Sequence, residues 1–276
     1  MSLCPDTVAV ATSEPATITS QQQARWLAES LKLPLTNTHD HRYPLMLTVT
    51  AQRLELRATI GRGPTSTTAA EFIHGRMGYR RHHGGGIRQP IARAIGLRGG
   101  WRPTVLDTTA GLGCDAFVLA TLGCQVDMLE RSAIVTLLLQ DGLRRAALHP
   151  ATAAIVATRL TLTQVDALQW LAQNGRRGAH DVVYIDPMFP SQPNHHAMAR
   201  KEMQLLRSLI GPESEETAQL LQLARCYANQ RVVVKRPLHA PVLPHLPPTF
   251  FMAGSSTRFD VYLTSQTSQI DQGSQQ

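Results

Sequence analysis

The sequence predicts an α/β protein in which a small α+β lobe precedes a doubly wound, mostly parallel sheet. Three observations carry this prediction. From Trp101 onward, short apolar strands alternate with helical stretches, the pattern of successive βαβ units. The first of those strands ends in an acid and runs straight into a glycine turn, Asp107-Thr-Thr-Ala-Gly-Leu-Gly113. The first hundred residues follow a different pattern, with one helix among strands that pair or alternate.

Taken in order, Val8–Thr12 reads as a short strand, and Thr19 to Leu31 has helical spacing with Trp26, Leu27 and Leu31 apolar. Pro34 stops that helix. Leu45–Thr50 and Arg53–Ile60 read as paired strands, and Gly61-Arg-Gly-Pro64 as a loop. Three glycines, Gly84 to Gly86, mark a closely approached or flexible backbone. Beyond them, Thr104–Asp107 is a buried strand and Cys114–Leu122 its helix. Gln125–Glu130 is the second strand, with an apolar helix from Ser132 to about Leu148. Leu160–Thr163 and a helix over Asp166–Ala172 follow, then the strand Asp181–Asp186. Arg231–Lys235 and Arg258–Leu263 are later strands, and Ser265–Gln276 is a polar tail expected to be disordered. The expected division is an N-terminal lobe over 1–75, a catalytic domain over 76–264 and the tail over 265–276.

Composition narrows the function. The chain has 276 residues, 43% hydrophobic and 17% charged, enough to bury a core without staples. No apolar run reaches the length of a membrane span, and the N-terminus lacks a basic stretch followed by an apolar block, so a cytoplasmic protein is expected. Cys4, Cys114, Cys124 and Cys226 show no CxxC spacing, and neither His82-His83 nor His195-His196 has an acid or Cys at ligand spacing. Free thiols and no metal site are expected. The net charge of +7 is unevenly placed: no acid lies between Glu71 and Asp107, where there are seven arginines, Arg80, Arg81 and Arg88 among them. Another acid-free stretch, 217–259, holds Lys235 and Arg236. Arg-rich clustering suits bidentate phosphate contacts along a nucleic acid backbone, although a solvated basic face has the same composition.

The glycine turn lets a ligand lie against backbone at a helix N-terminus, with Asp107, Gly111 and Gly113 as its fixed points. Glu130 ends the next strand, where a carboxylate can accept the ribose hydroxyls of an adenosine ligand. NAD and S-adenosylmethionine both satisfy this half of the site. The other half is Asp186-Pro-Met-Phe-Pro190, at the carboxyl end of the fourth strand of this series. An aromatic exocyclic amine is a poor nucleophile and must be held in line with the electrophilic methyl. Asp186 and a backbone carbonyl stiffened by Pro187 can accept its two N–H hydrogens, and Phe189 can stack on a flipped base. Arg200-Lys201 follow this loop and Lys235-Arg236 end a strand, so both pairs are candidates for RNA phosphate contacts or solvated termini.

The chain resembles the bacterial ribosomal small subunit methyltransferase J family. The likeness is carried by Arg80-Arg81 with Gly84-Gly-Gly86, Asp107 to Phe117, Met128-Leu-Glu-Arg131, Val183 to Pro190, Lys201-Glu-Met203, Val232 to Pro237 and Arg258-Phe-Asp260. It implies a Rossmann-like class I methyltransferase core with about seven strands, S-adenosylmethionine as cofactor, and transfer of its methyl to the N2 amine of a guanine in 16S rRNA. The resemblance further implies cofactor contacts at Cys114 with Asp115, at Glu130 with Arg131, at Asp166-Ala167 and at Asp186. Two positions depart from the family pattern: Cys114 stands where Arg is usual, and Asp166-Ala167 where a small hydroxyl pair is usual. The implied partner is 16S rRNA or the small ribosomal subunit, with no membrane and a monomer favoured. An NAD-dependent oxidoreductase would leave Asp186 to Pro190 and the basic bias unexplained. A non-catalytic RNA-binding or ribosome-assembly module would leave the adenosine site unexplained.

Overall fold

A computed structural model describes residues 7–58, 66–83, 85–174, 178–187, 214–243 and 245–264. The N-terminal lobe is a five-stranded sheet. Its strands are β1 (Val8–Thr12), β2 (Leu35–Asn37), β3 (Leu45–Val49), β4 (Leu54–Ala58) and β5 (Thr67–Thr68), in the order β2-β1-β3-β4-β5. Helix α1 (Ile18–Leu31) covers the sheet, burying Ala24, Leu27 and Ala28. It starts where expected because Thr17 and Ser20 form a capping box: the Thr17 hydroxyl accepts the Ser20 N–H at 3.1 Å, and Ser20 Oγ accepts the Thr17 N–H at 2.9 Å. The three-residue β2 and two-residue β5 were not expected, being too short to show a period.

After α2 (Gly75–His83) and α3 (Pro90–Ala94), the chain enters the second sheet. Its strands are β6 (Thr104–Asp107), β7 (Gln125–Glu130), β8 (Leu160–Gln164), β9 (Val182–Ile185), β10 (Arg231–Pro237), β11 (Phe250–Ala253) and β12 (Thr257–Leu263). The order is β11-β12-β10-β9-β6-β7-β8. All neighbours are parallel except those of β12, which runs against both β10 and β11. This is the expected doubly wound sheet, with seven strands. Helices α4 (Cys114–Thr121), α5 (Ala133–Ala147) and α6 (Ala153–Arg159) belong to the units β6-β7 and β7-β8, and α7 (Ala167–Asn174) and α8 (Ser214–Tyr227) to the units leading to β9 and β10. The central strands β6, β9 and β10 are buried on both faces, which is why they read as nearly continuous apolar runs. Val105, Val126, Val182 and Val233 pack towards α3 and α4, and Leu106, Val183, Ile185 and Val234 towards α7 and α8. Among the described residues, no helix is long and apolar enough to cross a membrane.

The two sheets meet across α5. Ile134 and Leu138 of α5 complete the core formed by Val8, Leu27, Leu47 and Leu56. The Leu54 N–H donates to Asp141 Oδ2 at 3.1 Å, and Arg145 pairs with both Asp141 and Glu71. Gly142 permits the approach: a Cβ there would lie 2.5 Å from the Ala70 Cβ. The tail, 265–276, lies outside the described residues.

Candidate functional site

The chain leaves β6 for β7 and β8 on one side, then crosses to β9 on the other. Open α/β sheets bind ligands beyond the carboxyl ends of their strands at this kind of reversal. Here the loops after β6 and β9 are tied together. The Thr108 N–H and hydroxyl both donate to the Tyr184 carbonyl at 3.0 Å, and the Asp186 N–H donates to Thr109 Oγ1 at 2.6 Å. Gly111 (φ +54°) and Gly113 (φ +73°) turn the chain into α4 in the left-handed region, where a side chain is strained. Glu130 fixes the turn from β7: its Oε2 accepts the Gly111 N–H at 3.0 Å and its Oε1 the Ser132 N–H at 2.7 Å.

These ties frame a cleft of about 610 Å³, counting its open mouth. Thr108, Thr109 and Gly111 form one wall, and Leu129, Glu130 and Arg131 the next. Asp166, Ala167 and Leu168 close a third side, Asp186 and Pro187 a fourth, and Glu216, Thr217 and Leu220 of α8 complete it. An ion pair between Arg131 Nη1 and Glu216 Oε2 at 2.7 Å joins the β7 end to α8. Asp166 also accepts the Gln169 N–H at 3.1 Å, which orients its carboxylate at the start of α7. Two positioned carboxylates, apolar Leu129, Ala167 and Leu220, and a glycine with open space beside it form a wall set that fits an adenosine cofactor.

The structure therefore brings together Gly111, Glu130, Arg131, Asp166, Ala167, Asp186 and Pro187. Asp107, Gly113, Cys114 and Asp115 do not stand in the cleft wall. Gly113 packs beneath the turn, where a Cβ would come within 2.7 Å of Leu139 Cδ1. Cys114 is exposed at the start of α4. Asp115 faces Lys235 Nζ (2.7 Å), the Tyr184 hydroxyl (2.8 Å) and Arg80 Nη1 (3.3 Å). Thr109, Tyr184 and Glu216 were not foreseen as site residues; Tyr184 reads from the sequence as one more apolar strand position.

Two expected RNA contacts are corrected. Lys235 does not extend to solvent: its ammonium sits between Asp115 and Asp186, 2.7 Å from each. Arg236 points to the other face of β10 and is buried, at 5% exposure, near Asp260, Arg258 and Tyr262. Alternation along a strand separates the two cations onto opposite faces. Arg80 is half-buried against Asp115, and Arg88 is exposed. Arg81 lies in α2, but its side chain, like Phe189, Arg200 and Lys201 as a whole, is outside the described residues. Arg98 and Arg102 lie at the amino end of β6, the opposite end from the cleft, so the arginine-rich segment is not one continuous footprint.

Charge in the cluster is uneven. Burial, opposed by the Thr109 N–H and reinforced by Asp115 and Asp186, pushes the Asp107 carboxyl up to about 8. Burial works against ionisation of Asp115 too, but Lys235, Arg80 and the Tyr184 hydroxyl outweigh it and hold that carboxyl at about 2. Asp186 is raised, by burial first and by Asp115, against the pull of Lys235. A carboxyl whose folded value lies above its unfolded one favours folding where it keeps its proton. That stability is fully present below about 4 and is lost as pH rises to about 8. Asp107→Asn is uncharged throughout and should remove this loss. Urea melts at pH 5 and pH 8 are expected to show the variant gaining on the parent protein at pH 8. An identical pH dependence for both would mean that Asp107 is ionised in the fold.

The model of the S-adenosylmethionine-dependent methyltransferase family SAM_MT matches residues 27–264. The Ribosomal RNA small subunit methyltransferase J of Nitrosococcus oceani is 46% identical over 243 residues, 87% of this chain and 93% of that protein. Its namesake in Coxiella burnetii is 41% identical over 95% of this chain and 99% of its own. A crystal structure of a SAM-dependent methyltransferase from Neisseria gonorrhoeae superposes with a TM-score of 0.69 at 34% identity, covering 94% of this chain and 97% of its own. Sheet order, cleft and sequence likeness agree, and the chain belongs to the S-adenosylmethionine-dependent methyltransferases, within them to the ribosomal RNA small subunit methyltransferase J family.

Proposed function

We propose that this protein transfers the methyl group of S-adenosylmethionine to the exocyclic N2 amine of a guanine in 16S rRNA, in the cytoplasm, with the small ribosomal subunit or its rRNA as substrate. The observation that carries this reading is the placement of Asp186-Pro187 on the rim of the cleft that Gly111, Glu130 and Asp166 line. Bound there, the cofactor supplies an electrophilic methyl group. Glu130 accepts from ribose hydroxyls, Asp166 from the adenine amine, and the Gly111 turn lets the ligand lie against backbone. Asp186 and the Pro187 backbone accept the guanine amine N–H groups and aim its nitrogen at the cleft. The alkylated nitrogen then gives its surplus proton to Asp186 or to water. Phe189 would stack on the base. Arg80, Arg81 and Arg88, with Arg200 and Lys201, remain the proposed phosphate contacts. In this reading residues 76–264 form the methyltransferase domain and 1–75 a lobe docked on α5.

The test is transfer of labelled methyl from the cofactor to small subunits from cells lacking this protein, followed by nucleoside digestion. Label is expected in N2-methylguanosine of 16S rRNA and absent from subunits already methylated. Label in another nucleoside, or none despite micromolar binding of S-adenosylhomocysteine, would overturn the substrate assignment.

A further inference from the structure

Among the described residues, the cluster behind the cleft holds three carboxyls, Asp107, Asp115 and Asp186, and two cations, Lys235 and Arg80, with the Tyr184 hydroxyl donating to Asp115. Asp107 keeps its proton near neutrality, leaving two carboxylates to be balanced by two cations. Arg80 is spoken for by Asp115, at 3.3 Å, and by the side-chain carbonyl of Gln89, at 3.1 Å. Tyr184 also donates to Asp115, at 2.8 Å. Among the described residues, the cation left for Asp186 is Lys235, on the neighbouring parallel strand, at 2.7 Å. The β9–β10 register pairs Ile185 with Val234, so Asp186 and Lys235 are the next residues along. Lys235 is itself anchored on Asp115 and so cannot follow solvent away from its partner.

We propose that Lys235 is a positioning residue: anchored on Asp115, its ammonium holds the Asp186 side chain ionised and fixed at the cleft rim, ready to accept an amine N–H. This rests on the reading of Asp186 as the amine acceptor. Its logic is local. A carboxylate at a partly buried rim loses hydration and tends to take up a proton, and a protonated Asp186 has one oxygen fewer to offer an N–H. An opposite charge within hydrogen-bond distance resists that uptake, and the second tie to Asp115 fixes where it sits.

The test follows the Asp186 side chain directly by carbon NMR of protein labelled at aspartate Cγ, the Asp186 signal being identified by its loss in Asp186→Asn. In Lys235→Met the ionisation midpoint of Asp186 is expected to rise by at least one pH unit, a tenfold change in its acid constant. Lys235→Arg, which keeps the charge, should leave the midpoint within half a unit of the parent protein's. If the Met variant does not fold, Lys235→Gln carries the same comparison. A midpoint unmoved in the uncharged variant overturns the proposal. Where methyl transfer is measurable, the acid limb of kcat should shift with the NMR midpoint, while KM for the cofactor changes less than about threefold. The NMR result does not depend on turnover, so a protein that methylates no guanine would sink the proposed function and leave the Lys235 result standing.

Discussion

Asp186→Ala is expected to lower kcat for methyl transfer by about 10²–10³-fold, the loss typical of deleting one group that stabilises developing charge. The Asp186 N–H still donates to Thr109 Oγ1, so the loop after β9 stays tied to the loop after β6. Lys235 keeps Asp115 as its partner at 2.7 Å, so no buried cation is stranded. Removing a carboxyl that burial disfavours in its charged form offsets the lost ion pair, and thermal unfolding should shift little. The remaining walls, with Glu130 and Asp166 among them, are untouched, and binding of S-adenosylhomocysteine should stay within about tenfold by calorimetry. The decisive measurement is single-turnover methyl transfer to undermethylated small subunits. A folded variant within tenfold of the parent rate would remove Asp186 from the chemistry.

The half of the site that lies along β6 and β7 was legible in the sequence because its residues follow one another within about 20 positions of a strand–turn–helix–strand unit, whose geometry is nearly fixed. The strands β6, β9 and β10 were legible for a related reason: burial on both faces makes them apolar runs. Helix α2 was not, since Gly75-Arg-Met-Gly-Tyr-Arg-Arg-His-His83 has two glycines and no apolar period. Its Arg80 therefore read as a free cation, when it is held against Asp115. Lys235 and Arg236 read as one basic terminus for want of two facts that lie outside a linear reading: which strand neighbours β10, and in what register. With β9 as that neighbour, the pairing of Val234 with Ile185 sets Lys235 beside Asp186, and alternation turns Arg236 into the opposite core. The wall supplied by Glu216, Thr217 and Leu220 comes from a helix that no motif marks, and its role follows only from α8 packing beside α7 over the cleft.

The glycine turn makes two demands on two residues, and substitution should separate them. Gly111→Ala carries the strain of φ +54° but opens onto space, its Cβ meeting only the Thr109 carbonyl at 3.9 Å. It is expected to cost about 1–2 kcal/mol. Gly113→Ala carries similar strain at φ +73° and also drives a methyl to 2.7 Å from Leu139 Cδ1 and 3.2 Å from Phe72 Cζ. Neither neighbour can yield easily. Leu139 is fully buried on α5, and Phe72 is stacked on Phe117 of α4 with ring centroids 4.7 Å apart. Adding about 1–3 kcal/mol for overpacking gives an expected loss of about 2–5 kcal/mol, comparable to the whole stability of a marginal domain. Because Phe72 belongs to the segment that joins the two sheets, the strain should reach the lobe contact at Gly142, where Phe72 Cε2 lies 3.1 Å from a built Cβ. Urea unfolding of the two variants side by side reads this difference, and Gly113→Ala no less stable than Gly111→Ala would refute the packing role. The contrast also bears on function. Gly111 lies in the cleft wall and Gly113 beneath it, so the first variant should weaken S-adenosylhomocysteine binding more than it weakens the fold, and the second should do the reverse.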